Sequence, residues 1–164
     1  MTRINKVAVV AAFALISTTA LAQGVRTEKN MSLALANEAA AAAVEACAAK
    51  GYLVSAAVVD RAGQLKALHR ADGAGPHTLS SSRRKAYTAA SVRDSTTALM
   101  EIAQKNPGAA NLGQINGFLL LGGGLPIRAG NEVIGAIGVG GAPGGHLDDQ
   151  CAEAGIAKIK DRLN

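Results

Sequence analysis

This sequence predicts a mixed α/β fold of the α+β kind: a five-stranded antiparallel sheet flanked by helices, in the order α-ββ-α-βββ-α. Three observations carry that expectation. Residues 54–70 hold two short extended runs on either side of Asp60-Arg61-Ala62-Gly63, the Asx and glycine chemistry of a tight reversal. Three more extended runs crowd between Gly117 and Val139, separated by short glycine-bearing turns that favour antiparallel neighbours. Alanine-rich stretches with high helix propensity bracket both groups.

Taken in order, residues 1–22 read as an export signal, and residues 23–164 as one domain. Arg3 and Lys6 form a basic start, Val7 to Leu15 an uncharged apolar core, and Ala20-Leu21-Ala22 a small-residue cleavage pattern. The apolar core is too short to span a bilayer comfortably. Residues 23–30 are polar and expected to lack regular structure. Ser32 is the expected N-cap of a helix that reaches about Lys50 and is stopped by Gly51, with Leu35, Ala39, Ala42 and Ala46 as its apolar face. After the 54–70 hairpin, Asp72 to Pro76 breaks the strand. A long helix is then expected to start near Leu79 or Ser80 and end before Pro107; the alternative is a break near Asp94–Ser95, since RDSTT can cap a second helix.

On that helix Ala86, Ala89, Ala90 and Arg93 share one face, thin enough to approach a sheet closely. Gly117 to Leu121 is the expected third strand and Pro126 to Arg128 the fourth. Gly130-Asn131 turns the chain into the fifth, Glu132 to Val139, where Gly135 and Gly138 admit close neighbours. Asp148 is the expected cap of the last helix, which runs to Leu163.

Composition excludes more than it selects. The formal net charge of +5 falls to +3 once Arg3 and Lys6 leave, which does not call for nucleic acid. Two Tyr, two Phe and no Trp cannot build a stacking platform for single strands. A core so poor in bulky groups gains from self-association, so a homo-oligomer is expected. Beyond the signal no stretch has transmembrane length. Cys47 and Cys151 fall in predicted helices near opposite ends of the chain. In an exported protein they can pair or stay as two buried thiols, and sequence does not choose between these.

The chemical motifs are few. The glycine-rich stretch 138–145 has Pro143 where a dinucleotide fingerprint needs its third glycine, lacks the lysine of a P-loop, and leads into Asp148-Asp149, so it reads as a structural turn. His69, His77 and His146 do not pair at helical spacing. There is no HExxH, CxxC or G-x-S-x-G, so hydrolase chemistry has no support. The best physical clue is a polar helix stripe. Arg84 and Thr88 are one turn apart, beside Arg83 and Tyr87, and a guanidinium there can hold a carboxylate of a flat ligand. The plainer reading is a solvated helix face.

Four segments in order, VVDRAG, RADGAGP, RKAYTA and IGVGGAPGGHLD, resemble the GlcG/HbpS family, which also contains the carboxy-terminal domain of PduO-type proteins. The resemblance spans roughly Met31 to Leu163. It implies a five-stranded antiparallel sheet with helices, assembly into symmetric oligomers such as octamers, and, for exported members, haem held in an apolar pocket near subunit contacts. It also implies links to haem degradation, iron binding and oxidative-stress sensing through a membrane sensor kinase. Thr88 is the position that best matches a threonine implicated in haem binding. The Glu-x-x-Glu iron motif of the HbpS relatives is missing from residues 23–164, so iron storage and redox signalling do not carry over. Adenosyltransferase activity belongs to a different domain of PduO-type proteins.

The resulting expectation is a periplasmic or secreted haem- or tetrapyrrole-binding protein concerned with haem iron, with Thr88 and Arg84 at the ligand and His77 and His69 as reserve iron ligands. Its rivals are an accessory enzyme of small-acid or aromatic catabolism, and a signalling module that binds a sensor protein.

Overall fold

The computed structural model describes residues 24–164, so the expected export signal at 1–22 lies outside the described residues. Asn30 anchors the start of the domain: its Oδ1 accepts from the backbone N–H of both Met31 and Arg61, each at 2.9 Å. Ser32 caps helix α1 (Leu33–Ala48), accepting from Leu35 N, and Gly51 leaves it at φ +81°. The buried face of α1 is Ala36, Ala39, Ala40, Ala43 and Cys47; of the expected face Ala39 is buried, while Leu35, Ala42 and Ala46 are half-buried at its edge. In a helix that is alanine all round, side-chain bulk does not set the phase. Here it follows the packing of α1 on the last helix and the bond from Cys47 to Cys151.

Strands β1 (Ser55–Asp60) and β2 (Leu65–Arg70) form the expected hairpin. Asp60 Oδ1 accepts from Ala62 N and Gln64 N, both at 2.9 Å, and Gly63 takes φ +76°. Helix α2 (His77–Val92) follows. Arg93 ends it in the left-handed region at φ 61°, and Ser95 caps α3 (Thr96–Lys105) by accepting from Ala98 N, so the chain breaks where RDSTT predicts. Strands β3 (Gly124–Ala129) and β4 (Glu132–Gly140) join through Gly130-Asn131, and α4 (Gly145–Ile159) closes the domain.

Among the described residues the sheet has four strands, not the expected five, ordered β2-β1-β4-β3 and antiparallel throughout. With α3 separate, the element order is α-ββ-αα-ββ-α. Gly117 to Leu121 is the strand that fails to form. Its backbone is claimed by side chains of α2: Leu119 N donates to Thr88 Oγ1 at 2.9 Å, and Phe118 O accepts from Arg84. Groups bonded in this way cannot join a ladder.

The sheet is sandwiched. On one face Val54, Ala56, Val58, Ile127, Ile137 and Val139 pack against α1 and α4 in the larger core. On the other, Ala57, Val59 and Ala136 form a smaller cluster with Ala86, Ala89 and Ala90 of α2. Burying Val and Ile stabilises by roughly 1.5–3 kcal/mol each, so the first face carries most of the hydrophobic stabilisation. The second face relies on close approach. A methyl at Gly138 would run into the Ser82 carbonyl and the Ala86 amide, which explains the glycine there. Helix α2 therefore lies directly on the sheet, with a cavity along each of its flanks.

Candidate functional site

The first cavity, about 580 Å³, lies between β2 and α2, with the loop at Asn116-Gly117 as its rim. Leu65 and Leu68 of the edge strand and Leu79 of α2 form its apolar walls, and all three are exposed despite their chemistry. Arg83, Arg84 and Tyr87 supply its polar side from one stretch of α2. Tyr87 is fixed between two glycines of positive φ. A methyl at Gly63 would sit 2.9 Å from its ring Cδ2, and one at Gly117 would sit 3.0 Å from Cε1. Phe118 meets the same ring edge-on, with centroids 6.3 Å apart.

The second cavity, about 560 Å³, lies on the other flank, where the 140–145 loop meets the first residues of α2 and α4. His77 and His146 line it together with Ser81, Met100 and Leu121. Beneath it Lys85 and Asp148 form a buried ion pair, Nζ to Oδ2 at 2.8 Å, and Lys85 also donates to Val139 O at 2.9 Å. Asp148 Oδ1 accepts from Ala142 N, so the carboxylate fastens the glycine loop. Burial pushes the Asp148 carboxyl above its ordinary range, and the Lys85 ammonium offsets only part of that rise. Asp149 does the same work next door, accepting from Thr97 Oγ1 and from Gly123 N, each at 2.6 Å. Asp148 is thus no helix cap. Helix α4 starts three residues earlier, with Gly144 at the cap position, and Asp148 is turned inward.

The expected site residues are scattered around this frame. Arg84 lines the first cavity. Thr88 is fully buried, its hydroxyl donating to Arg84 O at 2.8 Å while it accepts from Leu119 N. His77 lines the second cavity. His69 points the other way from β2, its Nε2 lying 3.4 Å from Asn37 Oδ1 of α1. The Arg84 side chain is therefore brought together with Arg83 and Tyr87 at the cavity, while the Thr88 hydroxyl is turned inward onto the Arg84 backbone carbonyl and neither histidine lines the same cavity. Among the described residues no three His, Cys, Asp or Glu side chains gather as a metal cluster.

Sequence reasoning missed Lys85, Asp148, Asp149 and Thr97. The phase of α2 held a signal: Thr78, Ser82, Lys85 and Ala89 follow one another at helical spacing, and all are buried. Lys85 thus belongs to the inner stripe of α2.

Comparison with known proteins places this frame. Crystal structures of HbpS superpose well: one at 40% identity covers 90% of this chain and 97% of that one with a TM-score of 0.78. A double mutant of HbpS from Streptomyces reticuli, also 40% identical, covers 93% and 97% with a TM-score of 0.76. The Klebsiella pneumoniae protein ORFY is 27% identical over 84% of this chain and 95% of its own, with a TM-score of 0.79. A PduOC–haem complex, at 24% identity and TM-score 0.71, shares the fold. An uncharacterized 15.0 kDa protein of Citrobacter freundii, from the dhaT-dhaS intergenic region, is 38% identical over 88 residues. Those residues are 51% of this chain and 61% of that protein's length. The family described as haem degrading protein HbpS-like matches residues 31–157, and the chain belongs to that HbpS-like family.

Proposed function

We propose that this protein is an exported haem- or tetrapyrrole-binding protein serving haem-iron handling, and that its ligand lies in the cleft between β2 and α2. The carrying observation is the composition of that cleft: three exposed leucines, two on β2 and one on α2, line it together with two arginines of α2, in a space within the usual range for small-molecule sites. A porphyrin asks for that division, with apolar walls for the macrocycle and cations for its propionates. Haem, when bound, supplies iron-centred ligand and redox chemistry. The chain's own residues cover the ring, pair with its carboxylates and exclude water. Membership of the HbpS-like family and the haem-bound PduOC neighbour support the same ligand class.

Arg84 is the residue assigned to a propionate. Thr88 acts behind it, holding the Phe118–Leu119 backbone that shapes the cleft. An absorbance titration with haemin tests this. A charge-assisted contact contributes about 1.5–3 kcal/mol, so Arg84→Ala should weaken binding on the order of tenfold or more. Unchanged affinity would remove Arg84 from the site. The second cavity is a rival location, favoured by the two imidazoles of His77 and His146 together with Met100, all common iron ligands. Loss of binding in His77→Ala but not in Arg84→Ala would move the ligand there, and loss only in His69→Ala would point to the α1 side of β2.

Export is supported by the Cys47–Cys151 disulfide, since such bonds persist in oxidising compartments. Amino-terminal sequencing of the periplasmic or secreted protein should begin at Gln23, and a product starting at Met1 would contradict export. Self-association is supported by exposed apolar side chains, among them Leu33, Leu53 and Leu121. Light scattering should give a multiple of the single-chain mass, as large as an octamer's, and a clean monomer would refute it.

A further inference from the structure

We infer that Tyr87 is the iron ligand of this protein, its phenol oxygen presented to the cleft by a ring that the fold holds rigid. The inference rests on the placement of haem in the β2–α2 cleft and assigns the axial atom that placement leaves open. The side chains lining the cleft include no histidine, methionine or cysteine. Of the residue types that hold haem iron, tyrosine alone is present. Ser80 and Asn116 are neutral oxygen donors, and the guanidinium groups carry no lone pair to give.

Tyr87 has the properties that such a ligand needs. Tyr87 lines the cleft, and its hydroxyl makes no hydrogen bond to the described chain yet is not a buried orphan, so the oxygen is open to solvent and free to take a ligand. Its ring cannot swing away: Gly63 lies against one edge, Gly117 against the other, and Phe118 packs edge-on. Both glycines have positive φ and belong to different loops, so two separate turns are shaped around this ring. Arg83 and Arg84 precede Tyr87 by four and three residues, which puts both cations on its side of α2. On coordination the phenol proton passes to solvent at the open mouth, and the oxygen's electron pair goes to the iron.

Tyr87→Phe keeps the ring and its packing and deletes only the oxygen. The test is a haemin titration of the full chain without its signal, read by absorbance and resonance Raman, beside Tyr87→Phe and Tyr87→His. The parent should show a high-spin ferric phenolate charge-transfer band and phenolate ring modes. In Tyr87→Phe these should vanish and affinity fall on the order of tenfold or more, while the thermal midpoint without haemin stays that of the parent. In Tyr87→His an imidazole-type Soret band should replace them. A parent that binds haemin with a spectrum identical to that of Tyr87→Phe overturns the ligand assignment and leaves the cleft standing. A parent that binds no haemin overturns the cleft reading and this assignment together.

Discussion

Lys85 and Asp148 show how much of this protein's organisation rests on two side chains facing inward. Their pairing ties the thin α2 layer to the glycine loop and to α4, where there is little apolar surface to do it. Removing one partner of a buried pair strands the other. Asp148→Asn should therefore lower unfolding free energy at neutral pH by about 3 kcal/mol or more, measured in urea. The pH dependence has a definite sign. Burial raises the Asp148 pKa above its ordinary 3.8, so between that value and the raised one the folded chain holds a proton the unfolded chain has released. Its contribution to stability is greatest below 3.8 and falls as pH rises through the native value. Glu38 has the opposite sign: the hydrogen bond from Arg162 holds it below its ordinary 4.5, so its contribution is present above 4.5 and fades as pH falls. In acid melts Asp148→Asn should remove the first slope and Glu38→Gln the second. Parallel curves for parent and both variants would contradict the two assignments.

At the scale of elements, the parts legible in the sequence were those whose hydrogen bonds close locally. Asp60 binds its own turn, Ser32 and Ser95 cap their own helices, and Gly130-Asn131 turns its own hairpin. Where the partner is remote, the reading strayed. Gly117 to Leu121 looks like a strand, yet Thr88 and Arg84, some thirty residues earlier in the chain, take its backbone groups. The phase of the α1 face is blurred because alanine lies on most sides, and Asp148 reads as a cap because its partner is 63 residues away. The cysteines were legible only as alternatives. The fold brings them to a Cα separation of 5.5 Å and bridges α1 to α4 across 104 residues. Closing a loop of that length stabilises by about 2–5 kcal/mol, mostly by restricting the unfolded chain. Reduction, or Cys47→Ser, should lower the urea midpoint accordingly while leaving the far-ultraviolet dichroism native. An unchanged midpoint would mean that the α1–α4 contact alone holds that layer.

The whole molecule is lopsided. A dense layer of α1, α4 and one sheet face is stabilised by burial and a disulfide, and a thin layer over the other face is held by α2 and its polar ties. Both cavities flank α2, on the side with the smaller core. The sequence expectation puts the ligand at Arg84 on this helix, but the sequence does not show that Thr88 turns inward or that Leu65 and Leu68 come across from β2 to complete a cleft. Those leucines make the most direct test of the account. Leu68 is 37% exposed on an edge strand, so Leu68→Glu should fold normally while setting a carboxylate in the apolar wall. The decisive measurement is a haemin titration of Leu68→Glu beside the parent, with dichroism confirming the fold. The account predicts that binding weakens on the order of tenfold or more in the variant. Equal affinity in the two proteins would mean that the β2–α2 cleft is not where the ligand goes.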